Sequence, residues 1–174
     1  RSKKRDKEQM NKVKRLSAKD NKMLVILHCS DSDYGNAVLI DKWHREKGFK
    51  NSYGISIGYH FVILNGRLTA DKYNRFCDGV IETGRALDDD DKFEWNETAA
   101  ATLGRNDSVN ICLIGKSGKF TDAQLIALST VLRWLREIFK FLEIKQHSDF
   151  EPRKPYCAGF SKEQMELFNK YFSS

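Results

Sequence analysis

Apolar residues fall along this chain in two rhythms, and each predicts a different element. "KMLVILHCS", residues 22–30, is a short apolar run that turns polar at its end, which predicts a buried strand with His28 at its close. "DYGNAVLIDKWHREKGF" sets Val38, Ile40, Trp43 and His44 loosely at helical spacing, with Gly48 as the stop after the last turn. "SIGYHFVILNGRL" is rich in β-branched and aromatic residues and closes on Asn65-Gly66, which predicts a hairpin turning there. From about Thr69 to Arg105 no period is legible, and loop is the expectation. "SVNICLIG" predicts a second buried strand. In "TDAQLIALSTVLRWLREIFKFL", Leu125, Leu128, Val131, Leu132, Leu135, Ile138, Phe139 and Leu142 recur at i, i+3, i+4 and i+7. That segment predicts a long amphipathic helix, opened by a capping box of Thr121 and Gln124. "SKEQMELFNKYF" repeats the pattern at the C-terminal end, with Ser161 and Gln164 as box partners.

Strands alternating with helices predict an α/β fold, a mixed central β-sheet flanked by helices. The 174 residues suit one domain, and a 40% hydrophobic share is enough for a real core. We divide the chain into a basic leader or linker at 1–20, flexible or helical, and a catalytic domain at 21–174. The chain opens on Arg and is read as processed or as part of something longer. No apolar run approaches the roughly 20 residues of a membrane helix.

The net charge of +6 changes meaning once it is located. Residues 1–15 hold eight Lys or Arg and two acids, so the remaining body carries 22 basic and 22 acidic residues and is neutral. Nucleic-acid binding leans on clustered Lys and Arg, so no nucleic-acid partner is expected. A basic stretch of this kind is often a solvated face; as a functional arm it would touch nucleic acid, a membrane surface or an anionic polymer. The run Asp88–Asp91 lacks the alternating oxygen ligands and turn Gly of a calcium loop. Cys29, Cys77, Cys112 and Cys157 are irregularly spaced and are expected to be mostly reduced.

Taken singly, no residue is sharp. A lone His at a strand end is ordinarily a satisfied polar residue, a lone Cys is ordinarily buried, and a lone Lys sits on the surface. Together, His28, His147 and Cys157 make the three-ligand set that a catalytic zinc site uses while keeping a fourth position for water. His44 and His60 leave a closed four-ligand site open by counting alone. Tyr59 and Lys154 could supply donors to an oxyanion.

The residues also resemble a known family. "ILHCS", "WHREKGF", "GYHFVI", "DGVIETGRAL", "TLGRNDSVNICLIG", the helix opened by "FTDAQL", and "HSDF…RKPYCAGF" follow, in order over about 24–160, the pattern of the zinc-dependent N-acetylmuramoyl-L-alanine amidases of the amidase-2 group. That group includes phage lysozyme-type endolysins and the peptidoglycan recognition proteins. The resemblance implies one zinc ion on His28, His147 and Cys157, with Tyr59 and Lys154 as the catalytic pair. It also implies hydrolysis of the amide between the lactyl group of N-acetylmuramic acid and L-Ala of the stem peptide. Substrate contacts are expected at Arg105 and Asn106, and His60 is expected to face away from Tyr59 as a structural residue. The implied partner is peptidoglycan or a muropeptide, met by a monomer at the bacterial cell wall, in periplasm or envelope, with the basic leader then expected to contact anionic wall polymer or envelope. A phage gene is one implied source.

Four departures accompany the match. Ala101 stands where the family has a His, and Cys112 stands where some members have a carboxylate base. The spacing from Lys154 to Cys157 is one residue longer than in phage relatives, and the region between "NGR" and "DGVIETGR" is lengthened. The alternative reading is a recognition module that binds peptidoglycan without cutting it, a class that generally lacks the Cys ligand.

Overall fold

The computed structural model describes residues 14–15, 22–49, 54–93 and 97–173. The apolar run near its start is strand β2 (Lys22–Cys29), following a two-residue strand β1 (Lys14–Arg15). Helix α1 (Ala37–Glu46) comes next, then β3 (Phe61–Thr69), β4 (Lys72–Thr83), β5 (Lys92–Phe93) and β6 (Val109–Leu113). Helix α2 (Asp122–Ile138), strand β7 (Phe141–Gln146) and helix α3 (Lys162–Phe172) complete the order. Five strands form one mixed sheet in the order β4-β3-β6-β2-β7. β2 lies parallel to both β6 and β7, β3 lies parallel to β6, and β4 closes the edge antiparallel to β3. The expected α/β class, a mixed sheet with helices on its faces, is the observed one.

Strand alternation sends side chains to two cores. Val25, Leu27, Ile63, Val109, Ile111 and Leu113 pack against the apolar stripe of α2, including Leu128, Leu132 and Leu135. The opposite face, with Val62, Leu64, Cys112 and Ile114, packs on Ile40 and Trp43 of α1. His28 pairs with Cys112 across β2 and β6, so it lies on this second, smaller face. Gln124 fixes α2 on the sheet. Its carboxamide oxygen caps Thr121 N–H, and its Nε2 donates to the carbonyls of Ile63 (3.0 Å) and Ile114 (2.8 Å). A buried amide is tolerated there because its donors and acceptor are met.

Four expectations need correction. The hairpin does not turn at Asn65-Gly66, because β3 runs through both and turns after Thr69. The pairing with β4 shifts register on either side of Asn65, Gly66 takes a φ of 85°, and Asn65 Oδ1 accepts from Arg67 N–H at 3.0 Å. The Asn-Gly pair therefore builds a bulge, a conformation that also asks for positive φ. The stretch after Thr69 is not all loop. β4 is a 12-residue strand at the sheet edge, largely exposed, so it shows no apolar alternation to read. The long helix stops at Ile138 rather than running through Leu142. Phe139 takes an extended conformation, and Phe141–Gln146 becomes β7, whose Leu142 and Ile144 happen to continue the helical spacing. Finally, Lys14–Arg15 of the leader are extended rather than helical, because Lys92–Phe93 offers them a backbone edge to pair with. The rest of the leader lies outside the described residues.

Among the described residues, no helix is long and apolar enough to cross a membrane. Residues 58–60 bridge the ends of β6 and β4. His60 N–H donates to Asn110 O (2.9 Å), and Gly84 and Arg85 N–H donate to His60 O and Tyr59 O (both 2.8 Å). His60 is buried against Phe93, with Nδ1 accepting from Asn110 N–H (3.0 Å) and Nε2 donating to Glu97 O. It turns to the larger core while Tyr59 packs on the smaller one.

Two expectations follow from these contacts. A Cβ on Gly84 would lie 2.3 Å from Tyr59 O, so Gly84→Ala forces the backbones apart. A loss of about 1–3 kcal/mol, seen as a lower Tm, is expected; an unchanged Tm would show that the two segments can separate freely. Burial holds His60 down at about 4 against an ordinary 6.5. The unfolded chain therefore takes up the proton first, so this contribution is complete above pH 6.5 and drains away as pH falls toward 4. Between pH 7.5 and 5.5 His60 alone should cost on the order of 1 kcal/mol in urea unfolding of metal-free protein, and His28 and His44, also lowered by burial, add to the same loss. Equal stability at the two values would contradict a neutral buried His60.

Candidate metal centre

Parallel pairing of β7 with β2 sets Gln146 beside Leu27. The next residue of each strand is a histidine, so His28 and His147 emerge side by side, ring centroids 4.6 Å apart. The chain then makes one turn of 3-10 helix over His147–Asp149 and folds back. Ser148 N–H donates to Cys157 O (2.7 Å), Lys154 N–H to Glu151 O (2.9 Å), and Cys157 N–H to Lys154 O (3.2 Å). Gln146 clamps the return from below. Its Oε1 accepts from Gly159 and Phe160 N–H (3.0 and 2.8 Å), and its Nε2 donates to Phe160 O (3.0 Å). Cys157 thus arrives over β2, where its Sγ accepts from Cys29 N–H at 3.3 Å.

His28, His147 and Cys157 each offer a ligand atom, and the three atoms lie within 4.8 Å of one another. Metal–ligand bonds of about 2.0–2.3 Å hold tetrahedral ligands roughly 4 Å or less apart. The set is therefore close to what a zinc-sized cation asks for. The donor chemistry agrees. His28 is fully buried, and burial, then the neighbouring His147, push it down to about 3, so it is neutral, the form that binds metal. Its Nε2 meets Asn110 Oδ1 at 2.6 Å, while Nδ1 is buried without a partner. A buried nitrogen left bare usually has a reason, and here a cation supplies one. His147 is lowered by burial. The Cys29 thiol beside Cys157, together with burial, pushes Cys157 up, a shift that a bound cation reverses by stabilising the thiolate.

Neither of the other candidate ligands joins. His44 Nδ1 accepts from Gly58 N–H (2.9 Å), and both nitrogens of His60 are engaged elsewhere. Three protein ligands leave a position open for water or substrate.

The set opens onto two cavities of about 520 and 620 Å³, whose linings share Phe49, Ala101, His147, Arg153 and Lys154. Tyr59 lines the smaller one, its ring 4.9 Å from that of His28. Burial, then the charge of nearby thiols, holds its phenol well above the usual range, so Tyr59 remains an O–H donor. Burial likewise keeps Cys112 a neutral thiol. Asn106 lines the larger cavity, whereas Arg105 lines neither and lays its guanidinium over Phe150, 4.9 Å from the ring centroid. Ala101, small where a His was expected, lines both cavities. Trp43, Phe49, Arg153 and Tyr156 line the cleft without having been singled out in the sequence. Asn110 was missed too, although a polar residue inside the apolar run "SVNICLIG" was a visible signal.

No protein-family model matches the chain. In sequence it is 29% identical over 145 residues to an endolysin of Enterobacteria phage K11, a match covering 77% of this chain and 78% of that one. In structure it is similar to the N-acetylmuramoyl-L-alanine amidase LysC from Clostridium intestinale URNW, with a TM-score of 0.65 at 21% identity, covering 88% and 87% of the two chains. It is also similar to Drosophila PGRP-LB, with a TM-score of 0.56 at 22% identity, covering 78% and 74%. The chain therefore carries the α/β fold that N-acetylmuramoyl-L-alanine amidases share with the peptidoglycan recognition proteins.

Proposed function

We propose that this chain is a zinc-dependent peptidoglycan amidase, hydrolysing the amide between the lactyl group of N-acetylmuramic acid and L-Ala of the stem peptide. One observation carries the reading. Ligand atoms of His28, His147 and Cys157 lie within 4.8 Å of one another, His147 and Cys157 line the open cleft, and His28 holds a buried Nδ1 with no hydrogen-bond partner. The similarity to a phage endolysin and to a clostridial amidase supports the same chemistry. A module that only binds has no need of the third ligand, and Cys157 is in place.

A zinc ion held by these residues would supply a Lewis acid that activates water for attack on an amide carbonyl. The chain's own groups divide the rest. Tyr59, kept protonated by burial, donates to the carbonyl oxygen as it gains negative charge. Lys154, on the shared wall of both cavities, brings a cation to the same oxygen. Cys112 stays neutral and takes no proton. Asn106 is placed to touch substrate in the larger cavity, and Arg105, on Phe150, holds the wall of that loop.

Zinc-replete protein incubated with cell-wall sacculi should release fragments with free N-terminal L-Ala; none released would sink the proposal. Cys157→Ala is expected to lose zinc, measured by metal analysis after dialysis, and to lose activity with it. Lys154→Ala should keep the metal and lower kcat by about 100-fold or more, the cost of one donor to an oxyanion. A Lys154 variant of full activity would remove that residue from the mechanism.

A further inference from the structure

Asn110 sits in β6, fully buried, and no part of the reading above requires it. Its bonds decide which nitrogen of His28 is bare. Asn110 Nδ2 donates to Ser108 O (3.0 Å) and to Ser108 Oγ (2.9 Å). A carbonyl oxygen can only accept, so the amide nitrogen must face Ser108 and Oδ1 must face the other way. Ser108 Oγ is an acceptor here because its own proton goes to Arg105 O. On the far side, Asn110 Oδ1 meets His28 Nε2 at 2.6 Å and Thr102 Oγ1 at 3.2 Å. An oxygen that can only accept requires a proton on His28 Nε2, so the neutral ring carries its lone pair on Nδ1. That is the nitrogen the fold leaves buried and without a partner.

We infer that Asn110, oriented by Ser108 and supported by Thr102, is a positioning residue that selects the Nε2–H tautomer of His28 and so presents Nδ1 to the metal. The inference rests on the zinc reading. It adds that the 102–108 loop, which walls the larger cavity through Thr102, Gly104 and Asn106, is tied to the ligand set through one amide. A hydrogen-bonded partner behind a ligating histidine is commonly worth 10–100-fold in metal affinity.

The test uses the full chain loaded with zinc. Histidine-nitrogen NMR of the wild type should find His28 with a proton on Nε2 and the metal on Nδ1; the reverse assignment overturns the inference. Zinc affinity is then measured by competition with a chromophoric chelator. Asn110→Leu, similar in size but unable to accept, should bind zinc 10–100-fold more weakly, and affinity equal to wild type overturns the inference. Leu135→Ala, a core change under α2 away from the site, should lower Tm while leaving zinc affinity alone. If it weakens zinc as much as Asn110→Leu does, the effect is one of stability and the inference falls. Should Asn110→Leu not fold, the wild-type spectrum still decides. Wild type that binds no zinc at all sinks the amidase reading instead, so the two failures are told apart.

Discussion

The parallel register of β2 with β7 is the constraint on which the site depends. It aligns Leu27 with Gln146, so two histidines almost 120 positions apart in sequence become neighbours at the same sheet edge. A strand's side chains alternate, so a slip of one residue would turn His28 into the larger core and bring Leu27 to the cleft. That slip is opposed from both sides of β2. Val25 and Leu27 are fully buried under α2, and the same strand is held to β6 from Val25↔Val109 through Cys29↔Leu113. The register is therefore set by core packing. The site inherits its precision from residues that do no chemistry.

The ligand loop needs a second device, because the nine residues between His147 and Cys157 have no ladder of their own. Gln146 provides it. As the last residue of β7 it is fixed by the sheet, and its side chain makes three hydrogen bonds to the backbone of 159–160. The loop is thus closed at its base by the residue next to the first of its ligands, and Ser148 N–H to Cys157 O closes it again. Lys154 rides at the exposed crest of this turn, where it faces both cavities and needs no desolvation.

Much of this was legible in the sequence where burial leaves a period. β2, β6, the start of α2 and both capping boxes announce themselves because one face or both are apolar. The ligand set was visible as residue types, and the family pattern supplied their grouping; spacing alone could not bring His28 to His147, since that proximity belongs to sheet register. What escaped notice has equally physical causes. β4 is an exposed edge, so Lys72, Arg75 and Asp78 can sit in a strand without cost. β7 is too short to declare its own period beside a helix whose apolar spacing runs into it. Asn65-Gly66 satisfies a bulge as well as a turn, and the sequence cannot say which. Asn110 is a polar residue in a buried strand, a local conflict of the kind that marks function.

Burial then fixes the character of the floor. The same desolvation that neutralises His28 and His44 keeps Tyr59 and Cys112 protonated, so the groups around the ligand set present N–H, O–H and S–H rather than charge. The cations, Lys47, Arg153 and Lys154, are exposed at the rim. Carboxylates are scarce: of the two that line the cavities, Asp31 is exposed and Glu151 is held by Arg153. A floor with donors and few acceptors suits a group that arrives as an acceptor and becomes a stronger one. A carbonyl oxygen turning into an oxyanion is such a group. A substrate rich in donors would leave Tyr59 unmatched in a buried place, at a cost of about 1–3 kcal/mol. A preference of the cleft for an amide carbonyl would thus come from the desolvation that shapes the ligands, and both would follow from sinking the end of β2 below the surface.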